Sequence, residues 1–408
     1  TSNYEFNNYA VYGGLSGAIL DEANNLTATD VSINAKARQV KMGGISGTIS
    51  GNTIGATANN ITLNGNLYGA GGIAGFINGY VESANVENVT VDSDCIASLM
   101  GGIAGNIDGY VTESDVANVN ITGYSSFIGG IAGNTNSYIE NSNVTNSNLL
   151  VPESNSFGGV RAGGIVGSSY AYINNCDVTD SSIIVQAPGS YVGGIVAEEG
   201  NASAEITECN VTGSTVENLN SYTGGIVGYA NCRIADSNVR NTNISTTSET
   251  DLSDAVGGIV GHGSNEKKSA TVIDNCEVTD STVKGLTKVG GLAGAVVPFI
   301  MNSTVSDTDV TGYVHVGGVI GFGGDRFVED PNAGKDDTDD TDNTANNVVN
   351  NTAVNSTNTT NSTEDTEPTI TIEDISKLPI KITNCTVSNL NVTGKLNDNL
   401  DAIDAFMS

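Results

Sequence analysis

The residues best suited to bind a metal form one short acidic run. Asp336, Asp337, Asp339 and Asp340 lie within five consecutive positions. Because Ca²⁺ takes several carboxylate oxygens at once, these four aspartates are a candidate calcium site, and Ca²⁺ is the one cofactor that the sequence suggests. The run lacks the ligand spacing and the glycine of an EF-hand loop, so a solvated acidic loop is the alternative interpretation.

A second set of residues could carry N-linked sugars. The chain contains 15 Asn-x-Ser/Thr sequons, the acceptor motif for such sugars. Four of them, at Asn350, Asn355, Asn358 and Asn361, follow the aspartates in a polar run whose composition predicts disorder and access. We expect glycosylation of these four if the source modifies its surface proteins. Asn302 and Asn384 also lie in sequons, but at a repeated turn position where they could instead be stacked turn asparagines.

Catalytic chemistry has little support in the sequence. The two histidines, His262 and His315, are isolated, and His262 lies between two glycines, as a turn residue does. Glycoside cleavage needs a pair of carboxylates across a cleft, and outside the aspartate run the acidic residues are scattered. No nucleophile elbow is present. The sequence therefore predicts that the chain is not an enzyme.

Four tyrosines form the clearest candidate surface. Tyr80, Tyr110, Tyr138 and Tyr172 each precede the first strand aliphatic of a repeated unit, and by alternation they should point outward. Such a strip of stacked rings could bind carbohydrate or a second subunit, because exposed aromatic patches usually serve an interaction. A ladder that only stabilises the sheet is the alternative interpretation.

The elements that must position these residues are repeats. A phrase of two glycines, an aliphatic residue, a small residue and a glycine or alanine occurs eleven times, every 27 to 34 residues. Such a period indicates one supersecondary unit stacked many times. The glycines permit a bulge, a positive φ or a close backbone approach. The phrases begin at Gly13, Gly43, Gly71, Gly101, Gly129, Gly163, Gly193, Gly224, Gly257, Gly290 and Gly317.

Between phrases, aliphatic residues alternate with Asn, Asp and Thr, as in Ile173–Val178 and Ile273–Val278. A period of two predicts short half-buried strands, and we expect about three per repeat. The sequence therefore predicts an all-β chain, a parallel β-helix (β-solenoid) of about eleven coils with one acidic insertion in the last coil. At the usual strand spacing, eleven coils make a rod about 50 Å long.

The repeated phrase resembles the GLUG motif, and the resemblance extends over nearly all of the chain outside the insertion. GLUG repeats occur in bacterial immunoglobulin-A peptidases and in large adhesin-like surface proteins. The resemblance implies a β-solenoid on a cell-surface protein. It carries over no catalytic residue, because the motif contains none.

The last repeat is interrupted, which sets the domain boundaries. Its glycine phrase ends at Gly321, but its Ile-x-Asn-Cys partner is found only at Ile382–Cys385. We therefore divide the chain into repeats over residues 1–321, an acidic Asn/Thr/Ser-rich insertion over 322–379, and a final coil with a tail over 380–408. From Asp325 to Asp374 there are 13 acidic and 2 basic residues.

Four of the six cysteines occupy one repeat position that other repeats fill with serine. A small inward-facing position suits a free thiol, which packs as a small hydrophobe. Only Cys176 and Cys209 lie on adjacent repeats, where a disulfide is conceivable. The position is held by Cys176, Cys209, Cys276 and Cys385, and by Ser114, Ser142, Ser237 and Ser303.

Charge limits the choice of partners. The formal net charge of −31 disfavours nucleic acid and anionic membranes, whose phosphates repel an acidic surface. No run of about 18 apolar residues is present, so we expect no membrane insertion.

These observations predict an extracellular or cell-surface structural protein, adhesin-like and glycosylated, that assembles with itself head-to-tail into a filament or sheath. Unpaired strand edges at the two ends of a solenoid are the physical basis, because an edge is a template for pairing. One alternative is a monomeric adhesin stalk that binds carbohydrate or a host surface. A β-helix enzyme that degrades polysaccharide is the other.

Overall fold

The chain folds as an all-β parallel solenoid, which confirms the predicted fold class. The computed structural model describes residues 10–95, 98–124, 127–153, 159–248, 254–265, 270–323 and 380–394, apart from the side chain of Arg38. Strand pairs within these ranges are parallel, and each strand pairs with its counterpart in the next coil. The same ranges contain no helix, and therefore none long and apolar enough to span a bilayer.

Coils 4 to 11 contain five short strands each where the sequence predicted about three, whereas in coils 1 to 3 some of these strands are continuous, as in Thr27–Gly43. In coil 5 the five strands are Phe127–Gly129, Ala132–Thr135, Ile139–Glu140, Asn143–Thr145 and Asn148–Val151. The Gly-Gly phrase makes the corner between the first two. Residues with a left-handed backbone interrupt the later strands, so that what alternation alone presents as one long strand is divided into shorter ones.

The strands form three sheets along the solenoid. The second sheet contains Ser16–Ile19, Ser46–Ile49, Ala74–Ile77, Ala104–Ile107, Ala132–Thr135, Val166–Ser169, Val196–Glu199, Val227–Ala230, Val260–His262, Ala293–Ala295 and Ile320–Phe322. The third contains Ala23–Asn24, Thr53–Ile54, Val81–Glu82, Val111–Thr112, Ile139–Glu140, Ile173–Asn174, Glu205–Thr207, Arg233–Ala235, Val272–Asp274, Phe299–Met301 and Lys381–Thr383.

The first and largest sheet contains the remaining strands. They are Ala10–Gly13, Thr27–Gly43, Thr57–Gly71, Asn85–Ser93, Leu99–Gly101, Asp115–Ala117, Asn120–Gly123, Phe127–Gly129, Asn143–Thr145, Asn148–Val151, Arg161–Gly163, Asp177–Thr179, Ser182–Val185, Tyr191–Gly193, Asn210–Thr212, Thr215–Asn218, Tyr222–Gly224, Asn238–Arg240, Asn243–Thr246, Ala255–Gly257, Glu277–Thr279, Thr282–Lys284, Thr287–Gly290, Thr304–Ser306, Asp309–Gly312, Val314–Gly317, Thr386–Ser388 and Asn391–Gly394.

The core consists of columns of aliphatic side chains that run along the axis. Ile173, Ile206, Ile234, Ile273 and Ile300 pair in register on consecutive coils and are fully buried. Each such side chain packs against the same residue type above and below it. The apolar periodicity of the sequence thus becomes one continuous core, which no single coil could bury alone.

Asparagine and aspartate recur at two turns because the backbone there is left-handed. Asn141 and Asn175, for example, have φ of 51° and 49°, a region that Asn and Asp tolerate better than other non-glycine residues. The Asn175 side-chain amide donates to Oδ1 of Asn141, 2.6 Å away. Asn302 and Asn384 follow the same pattern, with φ of 50° and 51°. They are therefore stacked turn asparagines.

The glycine phrase serves close approach between coils. Its glycines do not have positive φ. A Cβ added to Gly102 or Gly130, the second glycine of its phrase, would lie closer than 3.0 Å to the carbonyl oxygen of the equivalent glycine in the next coil. Backbone cannot give way as a flexible side chain can, so these positions exclude every larger residue.

The cysteine position lies inside the solenoid, as predicted, and the thiols are free. Cys176, Cys209 and Cys276 are buried and Cys385 is half-buried. Each of these four sulfurs lies 3.7 Å from a backbone carbonyl oxygen of the preceding coil. Burial raises the pKa of Cys276 to about 12, which keeps its thiol protonated and unreactive.

Candidate functional site

Three of the four predicted tyrosines form a stacked ladder. Each lies directly before its third-sheet strand, which places it in one column. The ring centroids of Tyr80 and Tyr110 are 4.6 Å apart and those of Tyr110 and Tyr138 are 4.8 Å apart, with ring planes within 3°. Shielding from water raises the pKa of Tyr110, and the neighbouring Tyr80 and Tyr138 hydroxyls add to the rise.

Stacking restricts what this ladder can bind. Both faces of the Tyr110 ring are covered by its neighbours, so the ladder presents ring edges and hydroxyl groups to the solvent. A sugar that binds an aromatic platform stacks on a ring face. The geometry therefore favours a stabilising ladder at Tyr80 and Tyr110.

Tyr172 differs from the other three. Its carbonyl oxygen accepts a hydrogen bond from the amide of Ile139 at 3.0 Å, so its backbone stays in the column. Its ring makes no stacking contact with Tyr138 in the described part of the chain, and the residue is 53% exposed. Tyr172 is thus the member of the strip whose ring is most open to a ligand.

A second aromatic cluster lies at the Gly-Gly corner, and sequence reasoning missed it. We call it the corner stack; its members are Arg161, Tyr191, Tyr222, Tyr229 and His262. The Arg161 guanidinium lies 4.5 Å from the centre of the Tyr191 ring. The ring centroids of Tyr191 and Tyr222 are 5.0 Å apart and those of Tyr222 and His262 are 4.4 Å apart.

The corner stack joins two columns on either side of the corner. Tyr222 and Tyr229 belong to strands on opposite sides of it, with ring centroids 5.9 Å apart. The signal in the sequence was their fixed offset, two residues before and five after the first glycine of the phrase.

His262 was predicted to be a turn residue, but it ends the strand Val260–His262. Burial lowers the pKa of His262, and the nearby Lys288 lowers it further.

One carboxyl group has the kind of raised pKa seen in catalytic acids. Burial raises the pKa of Glu199 to about 8, and shifts of that size often mark active sites. Glu199, however, is fully buried and points into the solenoid, where its Oε1 accepts a hydrogen bond from the amide of Asn201 at 3.0 Å. The adjacent Glu198 points outward and pairs with Arg161 at 2.7 Å. A substrate cannot reach the carboxyl of Glu199.

An open depression of about 270 Å³ lies on the turn side of coils 8 to 10. Its acidic residues, Asp236 and Glu277, are already engaged by Asn275 and Arg240. In the described ranges, no group of three or more His, Cys, Asp or Glu residues is arranged to hold a metal. The aspartates at 336, 337, 339 and 340 and the sequon asparagines at 350, 355, 358 and 361 lie outside the described residues.

The two end coils have strand edges that no described strand covers. The strands of coil 1 pair only with coil 2, and those of coil 11 pair only with coil 10. Apolar side chains in these coils are correspondingly open: Leu15 is 55% exposed, Ile382 37% and Val387 43%. The equivalent interior residues, such as Ile300 and Val305, are fully buried. As far as the described residues go, each end therefore presents unpaired backbone together with apolar surface.

No protein-family profile matches the chain, and no curated protein is similar to it. Among solved structures, a variant of the catalytic domain of a GH87 α-1,3-glucanase in complex with nigerose aligns with 11% sequence identity and a TM-score of 0.21. The alignment covers 72% of this chain and 59% of that domain. A similarity this low supports no conclusion about activity.

Proposed function

We propose that the chain is an extracellular structural protein of a cell surface, a β-solenoid rod that assembles end to end into a filament or sheath. The observation that carries this proposal is the pair of open end coils. An unpaired parallel edge with exposed apolar residues is a template for another strand. Stacking one end on the other is a heterologous contact that does not close on itself, and such contacts produce fibres.

Several properties support an extracellular role without catalysis. The net charge of −31 repels anionic surfaces, and the resemblance to the GLUG motif points to surface proteins. Among the described residues, the one strongly shifted carboxyl, Glu199, is sealed inside the solenoid. Glycosylation of the sequons at 350–361 and calcium binding by the aspartates at 336–340 belong to the same proposal.

Electron microscopy of the purified full chain tests the assembly. We expect unbranched fibres, and a continuous stack of eleven coils predicts an axial repeat of about 50 Å. Sedimentation velocity on the same sample should show a mass that increases with concentration. Short single rods at every concentration would exclude the filament.

A monomeric adhesin stalk is the second candidate, and Tyr172 is the observation that favours it. Its ring is 53% exposed and free to stack on a sugar, whereas Tyr110 is covered on both faces. A glycan array probed with the wild type, Tyr172→Ala and Tyr110→Ala distinguishes these positions. Binding lost only in Tyr172→Ala supports the stalk, and equal binding by all three removes the tyrosines from it.

A further inference from the structure

We propose that the joint between subunits is in register: coil 11 of one copy stacks on coil 1 of the next and continues every column and sheet. The inference rests on the end-to-end assembly proposed above and specifies the two surfaces and their alignment. Four features of the end coils support it, and they concern different atoms.

The first feature is Gly318. In coils 1 to 10, a Cβ on the second glycine of the phrase would lie closer than 3.0 Å to the carbonyl oxygen of the equivalent glycine in the following coil, as for Gly14 with Gly44 and for Gly291 with Gly318. A Cβ on Gly318 would meet no such oxygen, because no described coil follows. Its nearest neighbour would be Cδ2 of Leu390, at 2.8 Å, the mobile tip of a flexible side chain.

Glycine at position 318 therefore satisfies a restriction that only a following coil imposes. Suppose that coil 1 of another copy follows coil 11. The carbonyl oxygen of its Gly14 then approaches Gly318 as closely as the carbonyl oxygen of Gly318 approaches Gly291 within the chain. The chain keeps the smallest residue at the one corner where its own described backbone would tolerate alanine.

The second feature is the direction of the hydrogen bonds at the corner. In each coil the corner amides donate to carbonyl oxygens of the following coil. Leu292 and Ala293 both donate to the carbonyl of Val319, at 2.9 and 3.0 Å. In coil 11 the equivalent donors are the amides of Val319 and Ile320, and coil 1 presents the equivalent acceptor, the carbonyl of Leu15. The two ends are thus complementary in donor and acceptor and not merely both unpaired.

The third feature is charge along one column. Ile382 and Ala23 occupy the same register position at opposite ends of the third sheet, so the preceding residues, Lys381 and Glu22, would lie over one another across the joint. Both are exposed. Within the chain, the same column already contains a cross-coil ion pair, Arg233 with Glu205 at 3.9 Å. Lysine is scarce in this acidic chain, and here it would lie opposite a glutamate.

The fourth feature is the continuation of the turn columns. Asn389 has a left-handed backbone, and its side-chain amide donates to Asp307 of coil 10 at 3.0 Å. Asp30 of coil 1 has the same backbone conformation, and its Oδ1 accepts from Asn60 of coil 2. The apolar residues Val387 and Leu390 would cover Ala28 and Val31, which lie in their columns in coil 1.

The first test is Gly318→Ala in the full chain, with Gly291→Ala as the matched control. Gly318→Ala should keep the wild-type circular dichroism spectrum and Tm, because only the Leu390 tip must move. It should raise the critical concentration for fibres by about 100-fold or more, since an overlap with backbone excludes the in-register joint. Gly291→Ala should lower the Tm, because the same overlap then falls within one chain. Normal fibres from Gly318→Ala would overturn the in-register joint and leave end-to-end assembly intact.

The second test uses charge and does not depend on glycine. Glu22→Lys and Lys381→Glu should each raise the critical concentration about tenfold by placing like charges together, and the double variant should return it to within about threefold of the wild type. Fibres that respond to neither single variant would overturn the register. If the wild type forms no fibres at all, both the register and the proposed function fail.

Discussion

Glu199 makes the stability of this solenoid depend on pH in a way that can be calculated. It lies in the second sheet, in a column whose neighbours in coils 6 and 8 are Ser169 and Ala230. Burial raises its pKa from 4.5 to about 8. Between these two values the folded chain keeps a proton that the unfolded chain releases. The free energy of unfolding therefore falls as pH rises from about 4.5 to 8, and it levels off above 8.

The size of the effect follows from the difference in pKa. A difference of about 3.5, at about 1.36 kcal/mol for each pKa unit, corresponds to about 5 kcal/mol lost between pH 4.5 and 8. Glu199→Gln removes the titration and keeps both the shape of the side chain and an acceptor for the amide of Asn201. The variant should match the wild type near pH 4.5 and exceed its stability by up to about 5 kcal/mol at pH 9.

Urea denaturation followed by circular dichroism between pH 4.5 and 9 measures this difference. Other carboxyl groups change the stability of both proteins equally, so only the gap between the two curves counts. Glu198→Gln is the control, since it removes a surface carboxyl from the same strand together with its ion pair to Arg161. The difference in the free energy of unfolding between Glu198→Gln and the wild type should stay within about 1 kcal/mol at every pH. If the difference in the free energy of unfolding between Glu199→Gln and the wild type does not grow with pH, the carboxyl of Glu199 is not held protonated by burial.

Three further outcomes are expected. Tyr110→Ala removes two stacking contacts and should cost about 1–3 kcal/mol in urea denaturation, whereas Tyr172→Ala should cost about 0.5 kcal/mol or less. Asp254→Asn should cost about 3 kcal/mol or more, because the buried carboxyl accepts hydrogen bonds from Leu286, Thr287 and Thr246 and an amide cannot accept them all. Mass spectrometry after treatment with a thiol reagent at pH 8 should show Cys385, which is half-buried, modified well before Cys176; equal rates would contradict the inward column.

The architecture could be predicted from the sequence because every coil repeats the same inward pattern. Ile-x-Asn-Cys fixes an inward isoleucine, a left-handed turn and a small inward residue, and each follows from a property of one residue type. The number of strands was underestimated for coils 4 to 11, because alternation does not show that a strand is divided at its left-handed residue there and not at Asp30 or Asn60 in the first two coils. Asn118 and Asn146 divide strands on consecutive coils, with φ of 55° and 47°.

The corner stack was missed because it joins two columns, and the fixed offset of each column from the glycine phrase does not show that the two columns meet. Tyr222 and Tyr229 are seven residues apart and meet only because the corner folds one strand back beside the other. Their neighbours in the stack come from other coils, 31 residues before Tyr222 in the case of Tyr191 and 33 after Tyr229 in the case of His262. The predicted tyrosine strip, by contrast, lies in a single column, which repetition alone reveals. Even there, the backbone position of Tyr172 was predictable and its ring direction was not.

Residue types vary more in some columns of the solenoid than in others. Some inward columns are uniform, such as the one that contains Ile173, Ile206, Ile234, Ile273 and Ile300. The outward column at the corner varies and contains Lys41, Leu99, Phe127, Arg161 and Tyr222 in different coils. A repeat protein whose outer coils end the stack needs a polar outer face on them. Coil 11 instead keeps both corner glycines and leaves Ile382 and Val387 uncovered by described residues. Among the described residues, coil 11 therefore meets the packing requirements of an interior coil.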